Sequence, residues 1–91
     1  MRTQLKVRNM QSNKGNLVPN QFIIYLNNKK YFQSYDTIIC YYDNNGLVLD
    51  TFATEYSRTT SKYLTLFTGQ GKRELMHGIY SEKIRVKNLN K

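Results

Sequence analysis

The amino-acid sequence predicts a small α+β domain, in which a four-strand meander plus an N-terminal and a C-terminal strand form a small antiparallel β-sheet, with one or two short helices packed on one face. Short apolar runs separated by Asn- and Gly-containing turns recur through the first half of the chain, as is typical of hairpin-connected strands. The hydrophobic period becomes helical between residues 57 and 77. With 91 residues, the chain is expected to form one domain, residues 1–91, because half this length would not bury a core.

The chain is expected to begin with a strand at residues 4–8, where polar and apolar side chains alternate. The segment 9–20 is rich in Asn, Ser and Gly and contains Pro19, so it predicts a loop. The β-branched and aromatic run at 21–26 then predicts a well-buried strand.

The meander continues through the two asparagines at 27–28, which tolerate the positive φ angles of a tight hairpin turn. They lead into a returning strand at 30–35. A strand at 37–42 follows, and then the clearest turn of the chain at 43–46 and a strand at 47–49.

The segment 57–67 predicts the main helix, because alternation stops and apolar side chains fall on one helical face. Three residues are candidates for its N-cap: Ser57, Thr59 and Thr60. Gly69 is well placed just beyond its C-terminus, and a second short helix is expected at 72–77, closing on Gly78. Strict alternation at 83–87 predicts a final strand.

The charge balance is strongly basic, with 14 Lys and Arg against 6 Asp and Glu and a formal net charge of +8. Such a charge favours a polyanionic partner, which means nucleic acid, an anionic membrane surface or an acidic protein patch. It argues against an inhibitor that mimics DNA. The alternative is that the charge only keeps the protein soluble.

The single cysteine, Cys40, cannot form an intramolecular disulfide, so a reducing cytoplasm is the expected location. The N-terminus has no apolar run long enough for a signal peptide, and no stretch is long enough to span a membrane. We therefore expect no membrane partner.

Residue types and spacing argue against an enzyme. Cys40 lies within an apolar strand, where a buried inert thiol is the common situation. His77 is the only histidine, so one chain cannot build a multi-histidine metal site. The six acids are dispersed, and the glycines around Gln70 lack the Lys-Ser/Thr sequel of a phosphate-binding loop. No catalytic residue, metal or cofactor is predicted.

Nucleic acid is the leading partner because cations share one side of each terminal strand. These candidate contacts are Arg2, Lys6 and Arg8 in the first strand, opposite Leu5 and Val7, and Lys83, Arg85 and Lys87 in the last, opposite Ile84 and Val86. If the two strands lie near each other, as chain ends often do, all six cations form one patch for a phosphate backbone. The alternative is that they protect exposed edge strands from aggregation.

A second basic pair, Arg58 and Lys62, lies four residues apart on one face of the main helix. It is either a further phosphate contact or an ordinary solvated helix face.

A protein partner is the alternative to nucleic acid. Aromatic and Arg residues dominate interface energetics, and five of them are candidates: Tyr41, Tyr42, Tyr56, Arg58 and Tyr63. Adjacent Tyr41 and Tyr42 must point to opposite faces of the sheet. Cross-strand packing within the fold also accounts for most of these tyrosines. A homodimer that pairs edge strands is compatible with either function.

Several segments carry a family resemblance: MQSNKGN with Val18 and NQF in 10–22, YFQSY with II in 31–39, and YSRTTSKY in 56–63. They resemble an uncharacterised family of small phage and mobile-element proteins from low-GC Gram-positive bacteria. The resemblance covers nearly the whole chain, to Asn88-Leu89-Asn90, although the family pattern has Trp where this chain has Phe52 nearby. The resemblance implies a mobile genetic element inside a bacterial cell, so the expected cytoplasm is that of a bacterial host and the alternative protein partner is a host defence protein that this chain inhibits. It assigns no role to any residue.

Overall fold

Six strands form one sheet, and two helices follow the fifth strand in a computed structural model that describes residues 5–12, 14–53 and 55–90. The elements in chain order are β1 (Leu5–Gln11), β2 (Leu17–Leu26), β3 (Lys29–Ser34), β4 (Thr37–Asp43), β5 (Gly46–Asp50), α1 (Arg58–Thr68), α2 (Lys72–Tyr80) and β6 (Arg85–Lys87). The strand order is β1-β2-β3-β4-β5-β6, so each strand pairs with its sequence neighbour. The α+β prediction is confirmed.

The sheet is antiparallel except for its last pair, β5 and β6, which run parallel. A tight hairpin reverses the chain, whereas the two-helix connection brings it back to the end from which β5 started. The predicted antiparallel sheet is confirmed for β1 to β5, and β6 joins it in the parallel direction.

The predicted loop at 9–20 is instead a hairpin, because β1 continues to Gln11 and β2 begins at Leu17. The strand pairing is irregular between Asn9 and Gln11. The Asn9 side chain donates a hydrogen bond to the Val18 carbonyl (3.0 Å). The pairing thereby keeps a cross-strand bond beside Pro19, which has no N–H to donate. The abundance of asparagine in this segment predicted a loop, but the Asn9 side chain instead forms a hydrogen bond between the two strands.

The main helix has the predicted caps. Ser57 is the N-cap of α1, and its side chain accepts a hydrogen bond from the Thr60 N–H. Gly69 follows the helix with φ 73°, in the left-handed region where glycine is favoured.

The second helix is longer than predicted, because α2 passes through Gly78 and ends at Tyr80. Gly78 is buried against Ile84, where an added Cβ would lie 2.4 Å from the Ile84 Cδ1 atom. Its role is close packing, so the glycine does not mark the helix end.

The hydrophobic core lies between the helices and the central strands. Strand register aligns Ile23, Phe32, Cys40 and Leu49 across β2 to β5, and the helices cover this face with Tyr63, Leu64, Phe67 and Leu75. The rings of Phe32 and Phe67 stack with centroids 5.6 Å apart. Cys40 is completely buried within this layer, and desolvation raises the pKa of its thiol.

A buried carboxylate joins the segments that follow β5 and β6. Asp50 is 3% exposed and accepts hydrogen bonds from the backbone N–H groups of Phe52 and Leu89, the Tyr56 hydroxyl and the Asn90 amide. Burial alone would raise the pKa of Asp50, but these bonds outweigh burial and lower it. Burial together with the bond to Asp50 raises the pKa of Tyr56 to about 12.

Candidate nucleic-acid interface

The two terminal strands do not form one patch. β1 and β6 are the opposite edges of the sheet, and four strands lie between them. At about 4.8 Å per strand, this separation is roughly 24 Å along the sheet. The prediction of six adjoining cations is therefore wrong, since every hairpin of the meander moves the chain one strand further from β1. Arg2 lies outside the described residues.

Lys6 and Arg8 share one side of β1, as predicted, but it is the side on which the helices lie. Lys6 pairs with Tyr25 and Arg8 pairs with Ile23, whose side chain packs against the core. Both cations are nevertheless exposed, whereas Met10, further along β1, is buried in the core cluster. The expected orientation was the reverse, with the aliphatic side of β1 in the core.

The aliphatic residues of β1 lie on the open face of the sheet. Leu5 is 61% exposed and Val7 is 56% exposed. Ile24 on β2 and Tyr31 on β3 lie in register with Val7, and both are half-buried. The alternation of polar and apolar residues therefore predicts which side chains share a face of the strand, but it does not predict which face is buried in the core.

A row of cations and one tyrosine crosses the first three strands. Lys6, Tyr25 and Lys30 are register partners on β1, β2 and β3, and Arg8 lies two residues along β1 from Lys6. The Lys30 Nζ atom lies 5.9 Å from the centroid of the Tyr25 ring and 5.1 Å from that of Phe67. A shallow groove of about 410 Å³ runs between Lys6, Arg8 and Tyr25. We call these four residues, Lys6, Arg8, Tyr25 and Lys30, the β1–β3 basic strip.

The strip lies in a part of the chain without acidic residues. Six Lys and Arg residues precede Asp36, and Asp36 is the first acidic residue of the sequence. The charged side chains of β1 to β3 are therefore all basic, and Asp43 at the end of the adjacent β4 is close enough to Lys29 for that charge to help lower its pKa. Sequence reasoning missed Lys30 and Tyr25. The signal was available, since a two-residue turn at 27–28 pairs Leu26 with Lys29 and hence Tyr25 with Lys30.

Of the three cations predicted as contacts at the C-terminal strand, Arg85 is paired with an acid. The Arg85 guanidinium donates a 2.6 Å hydrogen bond to the Asp43 carboxylate at the end of β4. This bond is the main reason that the pKa of Asp43 is lowered and that of Arg85 raised. Lys87 is exposed on β6, whereas Lys83 precedes the strand and lines a cleft beside α2. Asp43 was missed because it is distant in sequence.

Arg58 and Lys62 are exposed at the N-terminal end of α1, away from the strip. The Ser34 and Thr60 hydroxyls, 2.9 Å apart, hold this helix end over the end of β3 that is remote from Lys30. The Lys62 Nζ atom lies 5.5 Å from the centroid of its neighbouring Tyr63 ring. The pair is thus a separate basic spot.

The predicted protein-binding tyrosines are mostly packed inside the fold. Tyr41 and Tyr42 point to opposite faces, as predicted, with Tyr41 against Tyr31 and Tyr42 against Phe67. Tyr41 is 8% and Tyr63 5% exposed, while Tyr56 is half-buried on Asp50. These rings offer little surface to a partner, and Arg58 is the exposed member of the set.

Cys40 and His77, the two residues considered for nucleophilic or metal chemistry, lie in different environments. Cys40 is completely buried, whereas His77 is exposed on α2. Within the described ranges, no three His, Cys, Asp or Glu side chains are grouped in a way that could hold a metal ion.

These features define a small basic α+β domain with both described helices on one face of a six-stranded sheet. Residues 5–85 match the model of a family of unknown function (DUF8033), and the chain belongs to that family. Neither the curated proteins nor the solved structures contain a match. In the part of the chain that the structure describes, no helix has the length and apolar character needed to cross a membrane.

Proposed function

We propose that this chain is a non-enzymatic accessory protein of a phage or other mobile element, which binds nucleic acid through the β1–β3 basic strip in the cytoplasm of its bacterial host. The observation that carries the proposal is the in-register row of Lys6, Tyr25 and Lys30 beside Arg8, in a region without acids. Binding to phosphates would release counterions and give affinity without sequence preference.

Single-stranded nucleic acid fits the strip best. Lys6 and Lys30 lie two strands apart, about 10 Å, with Tyr25 between them. Cations at this spacing can contact separate phosphates, while a tyrosine ring offers a face on which an unpaired base stacks. A duplex keeps its bases stacked on each other, so the tyrosine would contribute nothing there.

Three groups that could serve in catalysis, Cys40, Asp43 and Asp50, are engaged within the fold, and this supports a binding role. The Cys40 thiol is buried with a raised pKa, so it is a poor nucleophile. The Asp50 carboxylate accepts four hydrogen bonds, and the Asp43 carboxylate is paired with Arg85.

The test is a fluorescence-anisotropy titration of short single- and double-stranded DNA and RNA at several salt concentrations. The variant K6E/R8E reverses two cations of the strip, and R58E/K62E makes the same change in charge on α1. We expect K6E/R8E to weaken binding at every sequence by about tenfold or more and to lower the salt slope by about 2. The control should retain most of the affinity.

Equal losses in the two variants would show that net charge alone drives binding, and would reject the strip. Tyr25→Leu tests the strand type, because it removes the ring and keeps an apolar side chain. Single-strand affinity should fall about fivefold or more in this variant, while duplex affinity stays unchanged. No binding by the unmodified protein at low salt would reject nucleic acid as the partner.

A second candidate function, binding to a host protein such as a defence enzyme, is favoured by the open face of the sheet. The exposed Leu5 and Val7 continue into the half-buried Ile24 and Tyr31, so apolar surface is contiguous there. A pull-down from nuclease-treated host lysate with the unmodified protein and Val7→Glu separates the cases. A stoichiometric partner lost only in Val7→Glu supports this function, and light scattering identifies a homodimer on the same face.

A further inference from the structure

A cleft of about 640 Å³ lies between α2 and the β4–β5 end of the sheet. Tyr42, Leu47 and Ile84 form its apolar floor, and Arg73, His77 and Lys83 stand around it. Its volume lies in the range of small-molecule sites, and such sites combine an apolar floor with a few convergent polar groups.

The charged groups of the cleft favour an anion. Arg73 and His77 lie one turn apart on α2, and Lys83 follows that helix. The one acid of the lining, Glu74, accepts a hydrogen bond from the Gly71 N–H (3.3 Å) at the start of α2. Within the described ranges, neither Arg73 nor Lys83 forms a salt bridge. Their charge is therefore available to a ligand.

The floor of the cleft favours a flat ring. Tyr42 is held in place by Phe67, with ring centroids 5.7 Å apart, and by a hydrogen bond from its hydroxyl to the Thr68 carbonyl (3.3 Å). Leu47 is its direct partner on β5. A fixed aromatic face beside aliphatic side chains suits stacking of another aromatic ring.

We propose that this cleft binds a nucleotide unit, with the phosphate at Arg73 and Lys83 and the base against Tyr42 and Leu47. Two sources share this chemistry, a free mononucleotide and the terminal nucleotide of a strand. The second source is geometrically reasonable, because Lys30 of the β1–β3 basic strip is the register partner of Tyr42. Binding of a free nucleotide does not depend on the strip.

The experiment is an NMR titration of the ¹⁵N-labelled protein with adenosine 5′-monophosphate, adenosine and inorganic phosphate. We expect saturable shifts at the Leu47, His77 and Ile84 amides with the nucleotide, and clearly weaker binding of either fragment. Arg73→Gln and Lys83→Gln should each weaken nucleotide binding about tenfold, since each removes a charge-assisted hydrogen bond. Lys87→Gln, an equal charge change outside the cleft, should stay within about twofold of the unmodified protein.

Absence of saturable shifts at these amides with millimolar nucleotide would overturn the proposal. It would also be overturned if phosphate alone bound as tightly, because the base would then contribute nothing. Short oligonucleotides with and without a 5′-phosphate distinguish the sources: a preference for the phosphorylated strand, lost in Arg73→Gln, identifies a strand end. K6E/R8E separates the two proposals, because it should weaken strand binding by the strip about tenfold or more and leave mononucleotide binding intact.

Discussion

The two terminal strands, β1 and β6, carry the same alternating pattern of cations and aliphatic residues, yet the fold uses them in opposite ways. At β1, Leu5 and Val7 face solvent, and Lys6 and Arg8 belong to an acid-free strip. At the β6 end, Val86 is also exposed, but Ile84 immediately before the strand is buried and Arg85 is paired with a carboxylate. Both strands are edges of the sheet with one partner strand each, and the difference arises from chain connectivity. The connection from α2 to β6 packs Ile84 against Gly78 of that helix, whereas β1 precedes both helices in the chain.

The C-terminal end is also held from several sides. The Thr51 N–H donates to the Lys87 carbonyl (3.0 Å), and the Leu89 N–H donates to Asp50 (2.9 Å). In β6 the Arg85 charge is paired within the fold, and Lys87 stays exposed. On β1 both Lys6 and Arg8 are exposed and available to a partner. For this reason our proposed site keeps the β1 cations of the predicted patch and leaves out those of β6.

Truncation of one aliphatic residue near each strand should give the largest contrast. Ile84→Ala should lower the free energy of unfolding by about 2–5 kcal/mol, because it leaves a cavity in the core. Val7→Ala should change it by less than about 0.5 kcal/mol, because Val7 is exposed. Urea denaturation followed by circular dichroism measures both values. Similar costs would mean that β1 is buried in solution, for example in a dimer through the open face.

A double-mutant cycle at Gly78 and Ile84 should show a smaller effect. Gly78→Ala should destabilise the protein by about 1–3 kcal/mol, because the new methyl group collides with the Ile84 side chain. In the Ile84→Ala background the same change should be neutral or stabilising, since alanine is favoured over glycine inside a helix by about 1 kcal/mol. A cost that is equal in both backgrounds would show that Ile84 does not meet Gly78.

The Asp43–Arg85 pair should give the smallest effect, visible as a dependence on pH. Because the Arg85 hydrogen bond lowers the pKa of Asp43, this carboxylate stabilises the fold above its ordinary pKa of 3.8. That contribution is lost as the pH falls through the lower pKa of the folded state. Asp43→Asn should therefore flatten the acid limb of stability, measured from urea midpoints between roughly pH 2.5 and 6.

Lys6→Gln is the matched control on β1, since a lysine stays protonated throughout this range. Its acid limb should follow that of the unmodified protein. An unchanged acid limb in Asp43→Asn would mean that Arg85 is not bound to Asp43 in solution, and that β6 is as free to contact phosphates as β1.

Much of the fold was accessible from local patterns. Turns and helix caps depend on backbone conformations that few residue types satisfy, so they can be predicted without the tertiary structure. This holds for the turns at 27–28 and 43–46, for the Ser57 cap and for Gly69. The loop assigned to 9–20 was wrong because asparagine both favours turns and, at Asn9, bonds across an irregular strand pair. The end of the second helix was wrongly placed at Gly78, because the sequence does not distinguish a glycine needed for close packing from a glycine that ends a helix.

The candidate site was less accessible. Alternation established that Lys6 and Arg8 share a side of their strand, but Lys30 and Tyr25 join them only through strand register. The Asp43 partner of Arg85 and the cleft between α2 and Leu47 depend on contacts between residues distant in sequence. No local pattern records such contacts.

The sequence by itself determined the α+β class, the meander and the sign of the charge, because these follow from hydrophobic period, turn chemistry and composition. Only the tertiary structure decided which face of each strand the helices cover and how far apart β1 and β6 lie. The physical reason is that the sequence of a strand defines two chemically distinct faces but does not specify which strands and helices will lie beside it. Which face is buried is decided only when the strands take their order in the sheet and the helices pack on it.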